Sequence, residues 1–165
     1  MKVRNTIFNC QMKTLGSVAL LELPKTAFLS SRRVAPAAVM RCYDWASEMR
    51  KSGRCVVGGF QSALERDVLK LLLPAGGPQI IMVLARGMWR LVPTEYREAI
   101  NSGRMLVVSP VSQKINRVSK ASAEKRNAWI LDNCDEAVIA SLDPGGSLAR
   151  LVASHPNLRY KVLVG

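Results

Sequence analysis

The chain holds 165 residues, 48% of them hydrophobic and 22% charged, which suits one domain with a core of ordinary size and excludes a disordered polymer. Lysine and arginine number 24 against 12 acidic residues, a formal net charge of +12 that favours polyanionic partners, nucleic acid or nucleotides above all. No apolar run approaches a membrane span, and four cysteines without a CxxC pair beside a single histidine, His155, give no zinc or iron–sulfur spacing, so no membrane contact, metal or other cofactor is expected.

Residues 1–25 read as an N-terminal arm or edge hairpin, from the apolar clusters Thr6-Ile7-Phe8 and Val18-Ala19-Leu20-Leu21. Asn5, Asn9, Gln11 and Lys13 interrupt any apolar core behind the charged start, so no secretory signal is expected. The scattered Cys10, Cys42, Cys55 and Cys134 then suggest reduced thiols in a cytoplasmic protein.

From residue 26 to 165 the pattern is that of a single domain. Ala27-Phe28-Leu29 predicts a strand, and Pro36 opens a helix that Ser52-Gly53 ends. Cys55-Val56-Val57 predicts a second strand, passing through Gly58-Gly59 into a helix with apolar positions 64, 68, 71 and 72. Strands at Ile80–Leu84 and Met105–Val108 bracket a helix begun by Pro93 and ended by Ser102-Gly103. A basic connection leads to a helix with Ala123, Asn127, Ile130, Leu131 and Cys134 on one face. Glu136–Ala140 is a strand, Ser147 opens a helix, and Tyr160–Val164 is a last strand.

Continuous apolar strands alternating with helices predict an α/β fold: three layers, Rossmann-like and doubly wound, a mostly parallel sheet with helices on both faces. Right-handed crossovers put every strand C-terminal loop on one edge, where ligands of such folds bind. Gly58, Gly59, Phe60, Gln61 and Ser62 would there present helix N-terminal N–H groups to a phosphate, although Ser62 and Glu65 also have the spacing of a capping box that uses the same donors. Ser31 and Arg32 follow the first strand, Arg86 the third, and Gly145, Gly146 and Ser147 repeat the glycine-loop design.

Arg126 and Asn127 sit mid-helix, where Asn127 is either a structural amide or a ligand contact. Lys114, Arg117, Lys120 and Lys125 form the basic stretch expected to meet nucleic-acid phosphates. Aromatic residues are only 5% of the chain, which limits base stacking. Serine or cysteine catalysis would have to use His155, for which the sequence marks no partner, so no catalytic residue is assigned.

Taken in order over residues 26–153, the glycine loop with Glu65, Ala85-Arg86-Gly87-Met88, Gly103-Arg104 with Ser109-Pro110, Lys125-Arg126-Asn127 and Gly145-Gly146-Ser147 resemble the DNA-processing protein A (DprA, also called Smf) family and its parent group of Rossmann-like SLOG domains. The resemblance implies a domain that binds nucleotides or single-stranded nucleic acid, in a family that protects incoming single-stranded DNA and helps load recombinase during transformation. It implies a pocket lined by Ser31-Arg32, residues 58–62, Arg126-Asn127 and residues 145–147.

Bulky Phe60-Gln61 replace the family's small residues, and the helical domains flanking its core have no counterpart in these residues, so a small stand-alone relative is expected. The cytokinin-activating phosphoribohydrolases of the same group carry Pro-Gly-Gly-x-Gly-Thr. Here Pro144-Gly145-Gly146 runs into Ser147-Leu148, with Arg150 where an acid belongs. The first reading is thus a nucleotide- or single-strand-binding protein acting in DNA processing. The alternatives are a nucleoside monophosphate phosphoribohydrolase, a non-catalytic sensor of a nucleotide-derived signal, and a homodimer with a vestigial pocket.

Overall fold

The inner apolar runs become strands here because they are buried on both faces, leaving their backbone groups to pair along a shared sheet. The computed structural model describes residues 12–163. The cluster Thr6-Ile7-Phe8, and Cys10, lie outside the described residues. In chain order the elements are β1 (Lys13–Gly16), a 3-10 helix (Val18–Glu22), β2 (Lys25–Leu29), α1 (Pro36–Ser52), β3 (Cys55–Gly58), α2 (Ala63–Leu72), β4 (Ile80–Val83) and α3 (Thr94–Asn101). Then follow β5 (Met105–Ser109), α4 (Lys120–Asn133), β6 (Glu136–Ile139), α5 (Ser147–Ala153) and β7 (Arg159–Val162).

The strands form one sheet in the order β1-β5-β4-β3-β2-β6-β7. Only β1 is antiparallel, running against β5 from Lys13 opposite Ser109 to Gly16 opposite Leu106. From β2 the chain winds outward through β3, β4 and β5, then crosses back to place β6 on the other side of β2. That reversal makes the β2–β6 junction the topological switch point, and α4 is the helix of the return crossing.

Alternate strand residues feed two cores. Phe28, Val56, Ile80, Met105 and Val138 meet α1, α2 and α3 on one face. Ala27, Val57, Ile81, Leu106 and Ile139 meet α4 and α5 on the other. Phe28 is fully buried and stacks on Trp45 of α1, ring centroids 4.9 Å apart.

The two Ser-Gly-Arg joints are more than turns. Gly53 ends α1 at φ 67°, the left-handed conformation that favours glycine, and Arg54 then reaches across to Glu136 at 2.7 Å. Arg104, from the second joint, donates to the carbonyls of Leu73 and of Pro78, the latter at 3.1 Å. Arg50 of α1 donates to Leu71 O at 2.9 Å and Pro74 O at 3.2 Å. Two guanidiniums thereby collect the orphan carbonyls at the negative end of α2.

Cys42, Cys55 and Cys134 are free and buried. Burial pushes the Cys42 thiol up to about 11 and the Cys55 thiol up to about 12, which keeps both unreactive. Among the described residues no helix is long and apolar enough to cross a membrane.

The Phe28–Trp45 stack ties α1 to the central strand. Phe28→Ala is expected to cost about 3–5 kcal/mol, read as a lowered urea midpoint at unchanged m-value. A loss below about 1 kcal/mol would mean that the two rings do not organise this core.

Candidate functional site

The glycine loop leaves β3 at Gly58, where the chain has little room: a Cβ there would lie 3.1 Å from Phe28 O and from the Phe60 ring. Phe60 itself takes φ 50°, the only non-glycine residue with positive φ among the described residues, and its side chain is turned into the core beneath α1 and α2. The Phe60 ring therefore anchors the loop, leaving its backbone as the part that can line the expected pocket. Gly59 has no positive φ, so its reason for being glycine lies elsewhere.

The helix that follows closes its own N-terminus. Glu65 N–H donates to Ser62 Oγ at 3.2 Å and Ser62 N–H to Glu65 Oε1 at 3.0 Å, a complete capping box. α4 does the same with Ser119 and Ser122, at 3.1 and 2.9 Å. The donors expected to meet a phosphate at α2 are in part already used.

Positive charge comes instead from the crossing helix. α4 packs under β2 and β3, and its inward stripe is Ser122, Arg126, Ile130 and Leu131. Ile130, Leu131 and Cys134 are buried as expected, whereas Ala123 and Asn127 are only half-buried, their places taken by Ser122 and Arg126. Arg126 is 6% exposed, and among the described residues it forms no ion pair.

The Arg126 guanidinium rests on Gly59: a Cβ at that glycine would fall 2.7 Å from Arg126 Cζ and Nε. Nη1 donates to Gln61 Oε1 and Nε to Asn127 Oδ1 at 3.1 Å. Burial pulls the guanidinium below its ordinary value, and the negative charge of Glu65 partly opposes that. Gly59, Gln61, Arg126 and Asn127 are thus one assembly. Asn127 also lines, with Ser147, a cleft of about 260 Å³ between α4 and α5.

The remaining expected residues are placed variously along the same edge. Ser31 laces the switch point: its N–H donates to Ser141 O at 3.1 Å and its Oγ accepts from Asp143 N–H at 3.1 Å. Arg32 beside it is exposed. Gly145 takes φ 73°, and its carbonyl accepts from Arg150 Nη1 at 2.6 Å, while Gly146 N–H donates to Asp143 O at 3.0 Å, so this second glycine turn is bonded internally. Arg86, in the loop after β4, donates through Nε to Gly87 O at 3.2 Å, and its own carbonyl accepts from Ser109 Oγ at 2.6 Å.

Lys114, Arg117, Lys120 and Lys125 are all exposed, in the connection after β5 and the first turns of α4. The parallel stack of Trp89 in the β4–α3 loop on Tyr96 of α3, centroids 5.7 Å apart, was not anticipated from the sequence. A further cleft, of about 490 Å³, lies away from this edge, between α1 and strands β6 and β7.

His155 does have partners. Nε2 lies 2.7 Å from Asp132 Oδ1, and Nδ1 lies 2.8 Å from Leu151 O and 3.1 Å from Ser154 Oγ. A carbonyl facing Nδ1 requires a proton there, and Ser154 Oγ donates to Leu151 O at 2.6 Å, so the ring is no base for this serine. The Leu151 carbonyl, and then Asp132, hold the imidazole above its ordinary 6.5.

A raised value stabilises the fold fully below pH 6.5, and that contribution is lost as pH rises through the folded-state value. Melting the parent and His155→Gln side by side should show the parent's advantage shrinking above pH 6.5. An advantage that grows with pH would contradict the charged His155–Asp132 pair.

No protein-family model matches the sequence, and no curated protein matches it. Solved structures do resemble it. DNA processing protein A of Helicobacter pylori, described with a single-stranded DNA binding mode, matches with a TM-score of 0.70 at 22% identity, over 92% of this chain and 70% of its own. DprA of Streptococcus pneumoniae matches with a TM-score of 0.70 at 16% identity, over 92% of this chain and 54% of its own, so the chain spans about half of that protein. The molybdenum cofactor carrier protein of Chlamydomonas reinhardtii follows at 0.52 and 15% identity, over 85% of this chain and 76% of its own. The fold of the chain is the Rossmann-type fold of the DprA proteins.

Proposed function

We propose that the protein binds single-stranded nucleic acid or a nucleotide, with a phosphate at the C-terminal edge of the sheet, and that it acts in DNA processing. The observation that carries this reading is Arg126: a buried guanidinium with no ion pair among the described residues, seated on a glycine that has no side chain to cover it. A buried cation is stabilised by anionic ligands more than by water, and a loop glycine allows a backbone to be approached closely. The DprA likeness, the net charge of +12 and the exposed Lys114, Arg117, Lys120 and Lys125 support the same reading. Exposed Arg90 and Arg97, beside the half-buried Trp89–Tyr96 stack, add positive charge near this edge.

The Gly59 seat gives a direct test. In Gly59→Val the new side chain takes the place of the Arg126 guanidinium and expels it. Binding of a single-stranded oligonucleotide, compared at equal folded fraction, should fall by about ten- to a hundredfold, as expected when one charge-assisted hydrogen bond is removed. Parent-like binding by this variant would place the phosphate elsewhere.

Salt dependence tests the basic stretch. Replacing Lys114, Arg117, Lys120 and Lys125 with alanine should flatten the plot of log affinity against log salt by about 0.7 for each phosphate that is no longer neutralised. An unchanged slope would remove these four side chains from the interface.

A further inference from the structure

A guanidinium offers two hydrogen-bonding edges, one through Nε and one through its two terminal nitrogens. In Arg126 the first is spent inside its own helix, Nε donating to Asn127 Oδ1 at 3.1 Å. On the terminal edge Nη1 donates to Gln61 Oε1, while Nη2 has no hydrogen-bond partner among the described residues. No fully buried side-chain nitrogen among those residues lacks a partner, so Nη2 is the part of this buried group that still reaches solvent.

Gln61 is unlike the residues on either side of it. Phe60 is fixed by burial and Ser62 by the capping box, whereas Gln61 is exposed. Its amide can leave Arg126 by side-chain rotation alone, with no change in the loop backbone. Its oxygen is also a weak tenant. A neutral amide acceptor holds a guanidinium less tightly than an anionic oxygen, and a phosphate ester carries two free oxygens that match the terminal edge.

We propose that Gln61 is a displaceable latch on Arg126. A phosphate ester of the ligand takes both Nη1 and Nη2, and the Gln61 amide swings out to solvent. The proposal rests on the reading that the ligand phosphate lies at this loop. It gives Gln61 a role in selectivity: a ligand with one neutral acceptor gains nothing by the exchange, whereas a phosphate monoester or diester does.

The test uses the whole chain and variants at exposed Gln61, which leave the buried Arg126 and the fold in place. The probe is a fluorescent single-stranded oligonucleotide of about fifteen thymidines. Gln61→Ala removes the competitor and should tighten binding by about five- to tenfold, as expected when a closed state no longer withholds the site. Gln61→Glu makes the latch an ion pair and should weaken binding by about tenfold or more. In an Arg126→Gln background the alanine gain should vanish.

Titrating inorganic phosphate while following the Gln61 side-chain amide and Arg126 Nε–H by NMR separates the two claims. If the oligonucleotide fails to bind but phosphate shifts both groups, the latch stands and the nucleic-acid reading fails. If the oligonucleotide binds but neither Gln61 variant changes its affinity, or alanine weakens it, the latch is overturned and the reading stands. If the oligonucleotide binds without moving Gln61, only the latch falls; if neither probe binds, both fall.

Discussion

One buried positive charge constrains the candidate site. Arg126 points inward from α4 into the space under the β3 loop, where a guanidinium loses most of its hydration. Among the described residues its stabilisation comes from the side-chain oxygens of Gln61 and Asn127 and from the nearby charge of Glu65, and not from an ion pair. Several features follow from this one placement. Gly59 has to lack a side chain because the guanidinium occupies that volume. α4 must pass under β3, which it does because the chain returns from β5 to the far side of β2.

The loop that receives Arg126 is held stiff from both ends. Phe60 anchors it to the core in a left-handed conformation, and the Ser62–Glu65 capping box fixes the start of α2. The box consumes helix-terminal donors that a phosphate would otherwise use, which moves the burden of anion recognition from backbone to side chain. At the neighbouring switch point Ser31 performs a similar fastening task, joining the β2 and β6 loops through Ser141 and Asp143. The edge is therefore a set of rigid loops around a few charged side chains.

Much of this was legible in the residues. The strands declared themselves as apolar runs such as Ile80–Val83, and prolines and glycines marked helix ends, as at Pro36 and Gly53. The Ser62–Glu65 spacing announced its box. Less legible was anything that depends on helix rotation or on residues distant in sequence. On α4 Ile130, Leu131 and Cys134 face inward as read, but Ser122 and Arg126 take the places expected of Ala123 and Asn127, because Ala123 and Ser122 are both small and nothing local decides which one meets the sheet. The seat of Arg126 on Gly59 joins residues far apart in sequence, and a buried arginine violates the ordinary hydrophobic pattern. Phe60 read as a bulky loop residue because no local signal tells a ring that turns inward from one that faces a ligand.

The most direct measurement is photo-cross-linking of a thio-substituted single-stranded oligonucleotide to the intact protein, with the modified peptides identified by mass spectrometry. Binding at the C-terminal edge predicts cross-links within residues 58–62 and 114–127, abolished on competition with unmodified strand. Cross-links confined to the α1–β7 cleft, at Trp45 or Tyr160, would contradict it.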